Sequence, residues 1–158
     1  MSVAGWSMVA GGLALAGAAA LARRRLVAIT VEGRSMEPTL HEGDRVLVLR
    51  RPLRRVRRGQ IVVLEQPMPG ARWARLPRPT HRIGGRDWLV KRAVAVPGDP
   101  VPPAVAPVAG DLPDGRVPAD SVVVLGDGVS SQDSRMWGLV PGERVLGVSI
   151  ARLPRRVV

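Results

Sequence analysis

The chain has 158 residues, enough for one domain with one core, and a formal net charge of +11. It has no cysteine and only two histidines, His41 and His81. That composition excludes a disulfide framework, a thiol nucleophile, a thiolate metal site and a histidine metal cluster.

Val3 to Ala22, "VAGWSMVAGGLALAGAAALA", is twenty residues without a charge, followed by Arg23, Arg24 and Arg25. At helical rise twenty residues cover about 30 Å, the thickness of a bilayer core, so a transmembrane anchor is expected over residues 3–22. The small-residue run "AGAAALA" also suits a cleaved signal peptide, but no lysine or arginine precedes the apolar stretch, which favours a retained anchor. By the positive-inside rule the three arginines would put the remainder of the chain in the cytoplasm.

Beyond residue 25 the pattern is strand and turn. "LVAITVE" reads as a strand, and "GRSMEPTLHEGD" as a turn-rich segment carrying Ser35. "RVLVLR" and "QIVVLE" read as strands on either side of "RRPLRRVRRG", which has six arginines in ten residues. Without interleaved aromatics or a nucleic-acid motif, that run is expected to be a solvated loop near anionic lipid rather than a DNA or RNA site. Gln66 to Asp87 is loop-like. "WLVKRAVAV" reads as a strand stopped by Pro97-Gly98, and Pro100 to Pro118 is irregular, with six prolines. "SVVVLGD" and "RVLGVSIARL" are further strands. Tyrosine and phenylalanine are absent, so Val, Leu, Ile and Ala must build the core with four tryptophans. Both histidines read as surface or turn residues. The expected fold is a mostly β, antiparallel domain with long loops, with no long helix after the anchor.

Lys91 is the sole lysine among 24 basic side chains. Arginine stays charged at any biological pH, whereas burial can drive a lysine neutral and make it a base. Leu89, Val90, Ala93, Val94 and Val96 surround it with apolar side chains. The competing reading is a packed stem with its ammonium snorkelling to solvent. Serine needs a neighbouring base to act as a nucleophile, and Lys91 is the available one. Among the serines, Ser35 follows Gly33-Arg34 at a strand end and precedes Pro38, which stiffens the turn. A structural role for Ser35 fits that turn chemistry as well.

"GRSMEPTLHEGDRVLV" resembles the nucleophile box of type I signal peptidases, whose core is Ser-Met-x-Pro-Thr. "RRGQIVVL" resembles their next box, with Gln60 where Asp is usual, and "VKRAVAVPGD" their lysine box. "VPADSVVVLGDGVSSQDSRMWGLVP" resembles their last box. The four occur in order from Val31 to Gly147, over nearly all of the chain after the apolar stretch. The resemblance implies the antiparallel β catalytic fold that signal peptidases share with self-cleaving repressors. It would follow the anchor (residues 1–25) and occupy residues 26–158.

The resemblance also implies roles. Ser35 would be the nucleophile and Lys91 the general base, with Ser131, or Ser130 in register, orienting the lysine. The Ser35 backbone N–H would contribute to the oxyanion hole, while Gly33 offers no hydroxyl at the position where some members add one. Arg92 with Asp127, and Asp133 with Arg135, would be scaffold ion pairs. Val31, Met36, Leu40, Leu89 and Val90 would line the small-residue pockets. Gly128 replaces the usual Asn, and three residues rather than four separate Asp127 from Ser131. Pro100 to Pro118 stands where larger members carry an insertion, so the chain resembles a minimal catalytic core.

The implied activity is serine endopeptidase cleavage of signal or leader peptides at small-x-small sites, without cofactor or metal. Its partners would be precursor proteins and membrane lipid, with no nucleic acid, and the protein would be a monomer. The implied location is the cell membrane, single-pass, with the catalytic domain extracytoplasmic. The alternatives are a cytoplasm-facing maturation protease resembling those that mature nickel superoxide dismutase, and an inactive homologue. Self-cleaving repressors would need an N-terminal DNA-binding domain where this chain has its apolar stretch. A membrane-tethered lipid- or nucleic-acid-binding protein would explain the arginines but not the four boxes.

Overall fold

A computed structural model describes residues 25–67, 73 and 88–155. The expected anchor at residues 3–22, His81 and most of the Gln66–Asp87 stretch lie outside the described residues. Among the described residues, no helix is long and apolar enough to cross a membrane.

Seven strands form one sheet: β1 (Leu26–Thr30), β2 (Arg45–Arg50), β3 (Ile61–Glu65), β4 (Trp88–Ala95), β5 (Ser121–Leu125), β6 (Val140–Pro141) and β7 (Val145–Leu153). Their order is β1-β2-β7-β3-β4-β5-β6, with every pair antiparallel. Branched residues supply most strand positions, as the pleated surface favours. Register shifts interrupt β2 against β7, β3 against β7, and β4 against β5, where such irregularities bend and twist a strand.

Side chains alternate across the sheet, so each run divides between two faces. Val46, Val48, Val63 and Val90 join Val27, Ile29, Val31, Met36, Leu40 and Leu146 in one cluster. Val62, Leu64, Ala93, Val122, Val124 and Val148 join Leu53, Val56 and others in a second. β3 feeds both, which is why "IVVLE" is apolar without alternation. The buried Arg144 donates to Glu65 at 3.2 Å and ties the start of β7 to the end of β3.

Tryptophans contribute at the second cluster, where the Trp73 and Trp137 rings meet edge to face with centroids 6.1 Å apart. The proline-rich stretch from Pro100 to Pro118 holds a single-turn 3-10 segment at Ala106–Val108 and a bridge between Pro100 and Arg116. Its Val105 and Val117 form a third cluster with Ala95 and Val123.

Candidate active site

Lys91 lies in β4 opposite Val62 of β3, and shares its face with Leu89 and Ala93. That face carries the second apolar cluster, and only 2% of the lysine remains exposed. Burial pulls its ammonium below the ordinary value of 10.5. The Asp133 carboxylate opposes that shift, and the Arg135 guanidinium adds to it.

Ser35 follows β1 in a turn closed by Glu37 N–H to Arg34 O at 3.2 Å and Leu40 N–H to Met36 O at 2.9 Å. Met36 and Leu40 are buried in the first cluster, so they anchor the turn on both sides of Pro38. The turn brings the serine to the lysine: Lys91 Nζ donates to Ser35 Oγ at 2.8 Å. The same nitrogen donates to Ser131 Oγ at 3.0 Å. The lysine is bracketed by two hydroxyls and does not snorkel.

Of the two candidate serines in the last box, Ser131 reaches the lysine and Ser130 is exposed. The one-residue shortening is accommodated by close backbone approach. Gly128 N–H donates to Ser35 O at 2.9 Å, and a Cβ on Gly128 would lie 2.7 Å from Arg34 O. A Cβ on Gly126 would lie 2.2 Å from Ser131 Oγ and 2.4 Å from Ser35 O. Both glycines therefore let this loop run directly against the serine turn.

Asp133 is fully buried at the N-terminal cap of α1 (Ser134–Trp137). Its carboxylate accepts from Gly126 N–H at 2.9 Å, from Arg135 N–H at 3.1 Å and from Arg135 Nη2 at 2.8 Å. Burial alone would raise its pKa, but the Arg135 side chain, the two backbone N–H groups and the Ser131 hydroxyl outweigh burial and hold it down. Arg92 grips Asp127 through Nε at 2.8 Å and Nη2 at 2.6 Å, and this hydrogen-bonded pair lowers the Asp127 pKa. Both expected ion pairs are present.

Val31, Met36, Leu40 and Val90 lie together in the first cluster, while Leu89 packs in the second, on the lysine's face of β4. Gly33 has a φ of 73°, the left-handed region, as the bend into the serine turn requires. His41 is exposed in a turn, where its N–H donates to Asp44 Oδ2 at 2.9 Å. A cavity of about 580 Å³ lies elsewhere, between the arginine loop and the start of β7.

Three residues have roles that the sequence does not announce. Ser134 Oγ accepts from Val124 N–H at 3.0 Å, and so fixes the last box to β5. Gln60 Oε1 accepts from Arg57 N–H at 2.9 Å, closing a turn in the place of the usual Asp. Thr39 Oγ1 accepts from Arg92 Nη2 at 3.4 Å. Their signal lies in backbone geometry, although Gln60 stands out as a departure from the family pattern.

The family model described as signal peptidase, peptidase S26, matches residues 4–105 and 103–153. A probable signal peptidase I-2 from Synechocystis sp. is 32% identical over 140 residues, covering 75% of this chain and 58% of the relative. A signal peptidase I from Leptolyngbya laminosa is 32% identical over 133 residues, covering 77% of this chain and 66% of the relative. The chain thus spans about three-fifths to two-thirds of the length of these relatives. A match over most of the chain, on a sheet that brings the serine and lysine boxes together, establishes that this protein belongs to the signal peptidase family, peptidase S26.

Proposed function

We propose that this chain is a membrane-anchored serine endopeptidase that removes signal or leader peptides from precursor proteins, using Ser35 and Lys91. The observation that carries the reading is the buried Lys91 Nζ held between Ser35 Oγ at 2.8 Å and Ser131 Oγ at 3.0 Å. A neutral amine there accepts the Ser35 proton while its own N–H bonds to Ser131. As Oγ attacks the scissile carbonyl carbon, the proton passes to Nζ and a tetrahedral oxyanion forms. The ammonium then gives that proton to the departing amine as the C–N bond breaks. The acyl-enzyme ester is left behind, and the neutral lysine next deprotonates the water that hydrolyses it.

Among the described residues, no acceptor takes the Ser35 N–H, which is available as an oxyanion donor. Gly33 brings no hydroxyl to this task. An extended substrate would bind as an added strand with alternate side chains in pockets. Val31, Met36, Leu40 and Val90 would line one pocket, with Leu89 on the lysine side. The family resemblance makes small side chains at alternate positions, a small-x-small site, the specificity we expect. Residues 3–22 would hold the enzyme in the cell membrane with the catalytic domain outside the cytoplasm, where precursors emerge.

The test is cleavage of a precursor with an Ala-x-Ala site by the detergent-solubilised protein. Wild type should cut at that site, and Ser35→Ala and Lys91→Arg should be folded and inactive. Equal cutting by Lys91→Arg would remove the lysine from the mechanism. A wild type that never cuts would favour the inactive-homologue reading or a dedicated precursor.

A further inference from the structure

The arginine loop is not used by the chemistry above, yet its geometry is specific. It leaves β2 at Arg50 and turns inward twice, burying Leu53 and Val56 in the second cluster. Those two residues fix the loop and leave Arg54, Arg55, Arg57 and Arg58 exposed. No carboxylate occurs between Arg45 and Leu64 to neutralise them. Asp120 and Glu143 line the cavity on the loop's inner side with Arg50, Arg51 and Arg54.

Strand register places this loop. Leu26 is opposite Leu49, so the start of β1 and the exit of β2 lie side by side at one end of the sheet. Exposed Arg25 precedes β1 and Arg50 ends β2, so both lie at that end, and in sequence the uncharged stretch of residues 3–22 ends three residues before Arg25. At its other end the loop is joined to the lysine strand. Gly59 N–H donates to Ala93 O at 2.7 Å, and Arg92 Nη1 donates to Gly59 O at 2.7 Å. Arg92 and Ala93 directly follow Lys91 in β4.

We propose that Arg54, Arg55, Arg57 and Arg58, with Arg25, form a docking surface for an anionic lipid bilayer, which seats the lysine strand at the membrane. The proposal rests on the reading of residues 3–22 as a membrane anchor. Guanidinium groups pair with lipid phosphates, and the attraction falls off within a Debye length of the charged surface. Lipid is favoured over nucleic acid because Arg25 follows the apolar segment by three residues in sequence. The stretch from Arg45 to Leu64 also has no aromatic side chain on which a base could stack.

The chain lacks cysteine, so Pro52→Cys offers a single exposed site for an environment-sensitive fluorophore. The labelled full-length protein is reconstituted into vesicles of phosphatidylcholine alone or mixed with phosphatidylglycerol. Phosphatidylglycerol should shift the emission to the blue, and added salt should reverse the shift. Replacing Arg54, Arg55, Arg57 and Arg58 with Gln should weaken docking roughly fivefold per arginine, while replacing them with Lys should preserve it. Equal emission in both vesicles, or a shift that survives the Gln replacements, overturns the proposal. So does a shift produced by single-stranded oligonucleotide and not by lipid. Flotation with phosphatidylcholine vesicles in high salt tests the anchor separately. A chain that floats without a lipid-charge shift keeps the anchor and loses the docking surface; a shift without flotation does the reverse.

Discussion

In the proposed mechanism the chemistry turns on Lys91, and its environment has consequences at two levels. Because that mechanism needs the neutral amine, kcat/KM should rise with pH through the Lys91 pKa, which burial holds below 10.5. Between the folded and unfolded pKa values the unfolded chain binds more protons, so this group makes stability rise with pH in that window. The stability of wild type relative to Lys91→Met should therefore increase as pH climbs toward 10.5, measured by denaturant melts across pH. Removing either member of the dyad should cost roughly 10⁴-fold or more in kcat, since such residues act as a unit. In that mechanism Ser131 acts through the lysine, to which it is hydrogen-bonded at 3.0 Å. Ser131→Ala should lower kcat roughly 100-fold and displace the pH profile, with KM little changed. Ser130→Ala should do neither, since Ser130 is exposed and Ser131 alone of the two reaches the lysine.

The loop from Gly126 to α1 is where element-scale design decides whether those residues meet. Gly128→Ala puts a Cβ 2.7 Å from Arg34 O, against backbone that cannot swing away as a side chain tip would. It should cost about 1–3 kcal/mol in a denaturant melt and lower kcat by moving Ser35 from Lys91. Asp133→Ala removes the α1 cap and the acceptor for Gly126 N–H together, and should destabilise by about 2–4 kcal/mol. The Asp133 pKa is lowered, so the carboxylate's contribution is present above the ordinary carboxylate range and is lost as pH falls through its folded value. The strands were legible in the sequence because runs such as "RVLVLR" and "SVVVLGD" carry their propensity locally. Lys91 stood out as one lysine among arginines, but the lone lysine also allowed a snorkelling side chain; its burial between Ser35 Oγ and Ser131 Oγ shows only in the fold. Gly128 was visible only as a departure, since its reason is an approach to Arg34 and Ser35 from far along the chain. α1, β6 and the single-turn 3-10 segments are two to four residues long, too short for a periodic signal. The order Asp127, three residues, Ser131 left two serines in register, and only tertiary placement separates them.

At the scale of the molecule, two charge arguments point in opposite directions. Arg23 to Arg25 follow the apolar stretch directly and would by the positive-inside rule retain the sheet in the cytoplasm. The rule reflects a bias in short loops beside a span and loses force for long translocated domains. Here the arginines continue into the sheet: Arg45 and Arg50 lie in β2, and Arg51, Arg54, Arg55, Arg57 and Arg58 in the connection from β2 to β3. Those later arginines belong to a long folded domain, and such domains translocate largely regardless of their charge. The proposed orientation is extracytoplasmic, because it would put the Ser35–Lys91 pair on the side where precursors emerge. A reporter that folds only outside the cytoplasm, fused after Val158, should be active, and a reporter that folds only inside should be silent. The opposite result would place the Ser35–Lys91 pair on the cytoplasmic face. Replacing Arg23 to Arg25 with Gln would separate the causes: an orientation governed by those arginines reverses, whereas one governed by the folded domain does not.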